Sequence, residues 1–472
     1  MRARPSQFAI VCLLFALASG RSHSAPPNSD TSVCPKCIQD NLKFLASDDL
    51  RGRGSGTEDE HAAANYVASK LKEYGTQPAG DDGGYIQQAT VLRRKLTAAP
   101  RLVAGTGPSA VELIYGKDFL VPYLSSEKFS GPLRKLNADD PNAQLAAGEM
   151  ALVTGKDRSK TRRMASGAGT VAVGVLTVVK ELKADHFTSG GKQLPKLAPR
   201  LKGNEKSSIG GDLNFLELSD EAMQKLSTVP DGTVVEFQAQ VEDDAPLHTW
   251  NAVAMLPGSD ASLGKAAVLF SAHLDHLGVG KPVNDDSIYN GADDDASGVV
   301  AVLELARVLG SGDKPKRTVI FALFGSEELG GFGATYFYQH APVPLTDIAA
   351  NLEFEMIGRT DAAVKDDTLW LTGWERSNLG PVLAQHGAKL VGDPHPKENF
   401  FARSDNYVLA KQGMVAQTIS SYGLHSDYHQ PSDDFPHINF KHMDAAIGSL
   451  LMPLQWLVNS DFKPEWNPGG KP

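Results

Sequence analysis

The chain has 472 residues, 41% of them hydrophobic and 22% charged, with a formal net charge of −10 at pH 7. That length can bury a large core and that composition is ordinary for a globular protein, which excludes collagen-like, coiled-coil and wholly disordered classes. The acidic balance, with no Lys/Arg cluster interleaved with aromatics, argues against nucleic acid or an anionic membrane surface as partner.

The first residues stand apart. Arg2 and Arg4 precede an apolar run over 8–18, and Ala18, Ser19, Gly20, Ser24 and Ala25 follow it. This is the pattern of a signal peptide over 1–25, and it implies a secreted or periplasmic product. The run is short for a bilayer, and no later stretch approaches the roughly 20 apolar residues of a membrane span. Cleavage removes three arginines and no acid, which takes the net charge from −10 to −13. Cys12 leaves with the signal, and Cys34-Pro-Lys-Cys37 remains. That pair reads as a local disulfide or idle thiols, as a redox motif, or as half of a zinc site.

Residues 26–90 read as an N-terminal helical part. Leu42, Phe44 and Leu45 give an apolar face to a helix over 38–50, which Gly52, Gly54 and Gly56 break. A second helix over 58–74 carries Ala62, Tyr66, Val67, Leu71 and Tyr74 at helical spacing, with Thr57 as cap and acids in its first turn. Over 91–245 short β-branched runs (111–114, 150–153, 171–179, 233–240) alternate with turns. No cluster of potential ligands lies there, and His186 reads as a surface residue, so this region is expected to be an inserted β-rich domain. From 246 to 460 the pattern becomes α/β. Strands are expected over 251–256, 266–271, 317–324, 348–354, 367–371 and 414–419. Helices are expected over 297–309, 332–339, 377–386 and 440–458, and 461–472 is a polar tail. The fold class is therefore α/β: a mixed, mostly parallel central sheet flanked by helices, with an inserted β-rich domain.

The chemistry-bearing clusters fall within this second part. Sheets of this kind hold ligands at the carboxyl ends of their strands. His273 and Asp275 follow the 266–271 strand at i and i+2, on one side of extended backbone. His273 can then bind a metal while Asp275 holds its other ring nitrogen. His276 faces the opposite way and reads as a structural hydrogen-bonding residue, with a direct role in the site as the alternative. Asp293, Asp294 and Asp295 precede a helix. As a charge run they could be a solvated loop or a helix cap, but adjacent carboxylates repel unless a cation neutralises them. A bridging carboxylate is what two metals about 3.5–4 Å apart require. Glu327 and Glu328 end a run too apolar for a surface. One can bind metal while the other takes a proton from water. Of Glu353 and Glu355, on one face of the next strand end, one is expected to be a ligand. The loop of His425, Asp427, Tyr428 and His429 can add a second imidazole.

In this order and spacing, the five clusters resemble the co-catalytic dizinc aminopeptidase family of MH-clan zinc exopeptidases, relatives of glutamate carboxypeptidase, transferrin receptor and glutaminyl cyclase. The matching motifs run through 251–458. The segment from Gly52 to Thr57 is also similar to family members, and the insert resembles a protease-associated domain. The resemblance implies two Zn2+ per chain, with His273, Asp294, Glu328, Glu355 and His429 as metal residues and Asp294 as the bridge. It implies that Glu327 and Tyr428 are catalytic, as general base and as the group that polarises the scissile carbonyl. Asp275, Arg403 and Asp405 would support the ligands or border the substrate. The implied activity is an exopeptidase acting on peptides, an aminopeptidase that attacks with a metal-bound hydroxide. One departure stands out. Many members have aspartate in a Leu-Asp-Met-Ile-Gly pattern where this chain has Phe354-Glu355-Met356-Ile357-Gly358. Two rival readings are a single-zinc glutaminyl cyclase and an inactive receptor-like binding protein. The complete set of ligands and base weighs against both.

Overall fold

Along the run Val319–Phe324, odd and even residues bury against opposite layers: Val319, Phe321 and Leu323 join one core cluster, and Ile320, Ala322 and Phe324 join another. The neighbouring strand Ala267–His273 divides in the same way, Val268, Phe270 and Ala272 to one side and Ala267 and Leu269 to the other. Strands apolar on both faces need helices on both faces. The computed structural model describes residues 32–140, 143, 148–154, 174–178, 197–203 and 214–472. The signal peptide over 1–25 and the reading of His186 lie outside them.

The central sheet is mixed. Its order is Leu390–Gly392, Leu369–Leu371, Val415–Ser420, Ile348–Phe354, Ala267–His273, Val319–Phe324, Val241–Leu256, Ile86–Leu96 and Arg200–Leu201. The four strands from Val415–Ser420 to Val319–Phe324 run parallel, and antiparallel pairs flank them on both sides. The helices Pro35–Leu45, Glu58–Glu73, Gly298–Ser311 and Phe440–Asn459 cover one face. Phe332–Gln339 and Asp405–Lys411 cover the other. Thr57 caps its helix by accepting from the Glu60 amide. The first helix stops at Leu45, short of the expected 50, because the chain turns at Asp48–Arg53 with Arg51 and Gly52 at positive φ. Gly52 is required there: a Cβ would lie 2.2 Å from the Tyr289 carbonyl oxygen. Cys34 and Cys37 form a disulfide at the start of that first helix. Among the described residues, no helix is long and apolar enough to cross a membrane.

Val241–Leu256 extends well beyond the strand expected over 251–256, and Ile86–Leu96 is a strand where none was expected. They pair antiparallel from Ile86 with Ala252 out to Leu96 with Val241. This ribbon leads from the central sheet to a second sheet, of eight strands among the described residues, with a hydrophobic core of its own built on residues such as Leu102, Phe119, Met150 and Phe237. Residues 91 and 245 therefore both fall inside the ribbon.

Candidate metal centre

Three of the sequence clusters sit just beyond the carboxyl ends of adjacent parallel strands. His273 ends its strand, Glu327 follows Phe324 by three residues, and Glu355 follows Phe354. The loops make their turns with non-glycine residues at positive φ: Ser326 before Glu327, Met356 after Glu355, and His429 itself. Such conformations are uncommon and persist where surrounding contacts hold them.

Two groups of donor atoms result, and they share Asp294. His273, Asp294 and Glu355 form one, and His276, Asp294 and Glu328 the other, each with its atoms within 4.8 Å of one another. His273 Nε2 lies 3.0 Å from Asp294 Oδ1. His429 Nε2 lies 3.2 Å from Asp294 Oδ2 and 3.1 Å from Glu328 Oε1. Yet His273 Nε2, His429 Nε2 and Glu328 Oε1 have no hydrogen-bond partner. Buried polar atoms that approach so closely without hydrogen bonding fit a shared cation. Imidazole with carboxylate is a donor set suited to zinc.

The remaining acids brace the site. Asp295 accepts from the amides of His273, Gly298 and Met356, which ties three segments together. Asp293 accepts from the Gly358 amide at 2.7 Å and contacts His425 Nε2 at 3.0 Å. Asp433 receives the amides of Asp293 and Asp294. Glu353 accepts from the Asn406 amide and the Thr418 hydroxyl, so of the two strand-end glutamates only Glu355 belongs to a donor group. Asp275 stands beside His273 and also reaches further than expected. Its backbone carbonyl lies 3.1 Å from His273 Nδ1, while its carboxylate accepts from the amides of Glu327 and Glu328 and from Ser55 Oγ. One carboxylate oxygen of Asp275 also stands 3.8 Å from His273 Nδ1, so the residue faces that ring nitrogen as its i,i+2 spacing suggests. His276, expected to face away, instead stands 3.1 Å from Glu328 Oε1.

Sequence reasoning missed Arg53. It is 1% exposed, and its guanidinium donates to the carbonyls of Leu45, Leu274, Asn290 and Gly291. A lone arginine between Gly52 and Gly54 was the available signal. Glu60 was missed too: its carboxylate accepts from the Ser326 amide and the Thr249 hydroxyl.

The site is short of positive charge. Burial works against ionised Asp294, but His276, His273 and His429 hold it well below the ordinary carboxylate range. Burial likewise opposes a charged His429, yet Asp294 and Glu328 push it up to about 10. Burial, with Glu353 nearby, raises Glu355 to about 8. Burial also lifts Glu327 well above its usual value. Asp294, Glu327, Glu328 and Glu355 line a cavity whose other wall is Trp370, Phe400, Tyr422, Tyr428 and Arg403. Tyr428 stacks on His429 with ring centroids 3.9 Å apart. Asp405 lies buried at the first turn of its helix, and its two carboxylate oxygens have no hydrogen-bond partner.

Paired donor groups around one shared carboxylate, at the strand ends of an α/β sheet, form an arrangement that could hold metal ions. Residues 251–452 match the model of peptidase family M28, and the motif resemblance to co-catalytic zinc exopeptidases holds. A "Probable zinc metalloprotease" of Pyrenophora teres f. teres is 32% identical over 152 residues, 30% of this chain and 31% of the relative. A "Vacuolar membrane protease" of Candida dubliniensis is 24% identical over 221 residues, 47% of this chain and 22% of the relative. The matches thus span about a third or less of these relatives' lengths. The solved aminopeptidase from Aneurinibacillus sp. strain AM-1 shares the fold, with a TM-score of 0.53 and 17% identity over 91% of this chain and 96% of that one.

Proposed function

We propose that this chain is a zinc-dependent exopeptidase holding two Zn2+, an aminopeptidase that releases N-terminal residues from peptides. The observation that carries this reading is the pair of donor groups joined by Asp294, with Glu327, Glu328 and Glu355 lining one cavity together with Tyr428. The family match over 251–452 and the fungal relative described as a zinc metalloprotease support the coarser part, zinc and peptide hydrolysis. His273, Asp294, Glu328, Glu355 and His429 would hold the ions. Bound zinc acidifies water and polarises a carbonyl. Glu327, its backbone held by the Asp275 carboxylate, takes the proton of the attacking water and delivers it to the leaving amine. Tyr428 donates its phenol hydrogen to the oxygen that gains charge. Arg403, over the face of Phe400, borders the substrate, and Asp405 follows in the same segment. A glutaminyl cyclase needs a single zinc and leaves one donor group without a use. An inactive receptor would have no call for Glu327 beside the ligands.

In this reading the peptidase unit comprises 26–90 and 246–460, with 91–245 inserted. The N-terminal pattern and the Cys34–Cys37 disulfide support an exported, oxidising location.

The test is purified protein offered aminoacyl-anilides and their N-acetylated counterparts, with metal analysis of the same sample. We expect two zinc ions per chain and cleavage of the free-amine substrates only. Equal cleavage of blocked substrates would rule out the aminopeptidase assignment, and cyclisation of N-terminal glutamine without hydrolysis would point to the cyclase.

A further inference from the structure

The His276 ring occupies the space left by a missing side chain at Gly291, where a Cβ would come within 2.5 Å of the ring's Cγ. The residue is 1% exposed, and neither ring nitrogen has a hydrogen-bond partner. A buried imidazole without partners is costly, so its position calls for another interaction. Its Nδ1 lies 3.1 Å from Glu328 Oε1 and 3.8 Å from Asp294 Oδ2. His429 Nε2 approaches those same two oxygens, at 3.1 and 3.2 Å. Donors about 2.0–2.1 Å from a tetrahedral zinc sit roughly 3.3–3.4 Å from one another, and these separations fall around that value.

We infer that His276 is a metal ligand through Nδ1, joining Asp294, Glu328 and His429, an inference that rests on the two-cation reading proposed above. The two halves of the centre are then unequal. The half with His276 and His429 has four protein donors, two of them imidazoles, and the half with His273, Asp294 and Glu355 has three donors and one imidazole. Zinc held by four protein ligands behaves as a closed, structural site, whereas three ligands leave a place for water or substrate. The second imidazole also favours zinc over magnesium or calcium. The His276 half therefore fills first and holds its ion more tightly. The open coordination position belongs to the His273 half because that half has one donor fewer, while the cavity itself reaches both halves through Glu355 and Glu328.

Full-length protein carrying nitrogen-15 histidine and loaded with cadmium-113 tests this directly. Three imidazoles, those of His273, His276 and His429, are expected to show one-bond cadmium–nitrogen coupling. Two coupled imidazoles with two cadmium ions bound would overturn the role of His276 and leave the two-cation reading intact. Fewer than two bound ions would overturn that reading and this inference with it. In zinc titrations, His276→Gln keeps most of the ring's bulk and is expected to weaken the tighter step by at least about tenfold. The weaker step should not change. An isotherm like that of the parent protein in both steps would overturn the proposal.

Discussion

Asp293, Asp294 and Asp295 are chemically identical, and the backbone decides which of them faces the cavity. Asp295 spends both carboxylate oxygens on the amides of His273, Gly298 and Met356, and Asp293 spends its own on Gly358, Ser297 and His425. Asp294 is left to face three histidines. A run of acids reads in sequence as one patch of charge; here it is one candidate ligand between two braces. The Glu327–Glu328 pair divides in a similar way. Glu328 contacts His276 and His429, whereas Glu327 has no ion pair among the described residues and lines the cavity. If Glu327 moves the proton, Glu327→Gln should keep both zinc ions and lower turnover by about 10²–10⁴-fold. Metal analysis and initial rates on one preparation check this, and a variant with undiminished turnover would remove Glu327 from the mechanism.

At the scale of elements, the segment from Arg53 to Glu60 ties the helical start of the chain to the loops that carry the candidate ligands. Arg53 reaches the carbonyls of Leu274 and Gly291, Ser55 reaches Asp275, and Glu60 receives the Ser326 amide. Arg53→Met keeps much of the apolar stem but leaves four carbonyls without their donor. We expect a loss of about 3 kcal/mol or more in unfolding free energy, together with weaker zinc binding. Denaturant titration and calorimetry check both, and a variant matching the parent in stability and affinity would make these contacts idle. This coupling was hidden in the sequence because 53 and 274 lie far apart and nothing in a glycine-flanked arginine names its partners. Other features were plain. Ile348–Phe354 and Phe332–Gln339 have the limits that their apolar patterns suggest, and the capped helix after Thr57 ends one residue early. Lys128–Asn137 escaped notice although its burial alternates through Phe129, Gly131 and Leu133, because its polar face carries Lys128, Ser130 and Arg134 and the run lacks β-branched residues.

At the scale of the molecule, the question is whether the eight-stranded sheet serves the metal centre or only rides on the ribbon. Its apolar residues, such as Leu102, Leu133, Leu216 and Phe237, form a cluster separate from the one that packs the central sheet. Among the described residues, none that lines the cavity comes from 98–239. The ribbon ends in register: Leu96 pairs with Val241, and the Thr97 amide donates to the Gln240 carbonyl at 2.9 Å. Two antiparallel partners in that position can be joined by a two-residue turn such as Asn-Gly. The excision has structural costs: Leu201 packs with Ala89, Val91 and Phe332 and would leave them exposed, Leu96 would lose the cluster it packs in, and the carbonyls of Thr90 and Arg94 would lose the amides of Lys202 and Leu197. A chain with 98–239 replaced by Asn-Gly is thus expected to fold with reduced stability, to bind two zinc ions, and to hydrolyse a small aminoacyl-anilide. Added zinc should raise its melting temperature as it does for the parent, by the equivalent of about 2.7 kcal/mol at a hundredfold excess over Kd. If small-substrate turnover persists while cleavage of longer peptides falls, the second sheet acts on the distal part of the substrate. If zinc binding is lost although the central sheet folds, the second sheet is needed to hold the metal-bearing loops and the two cores are not independent.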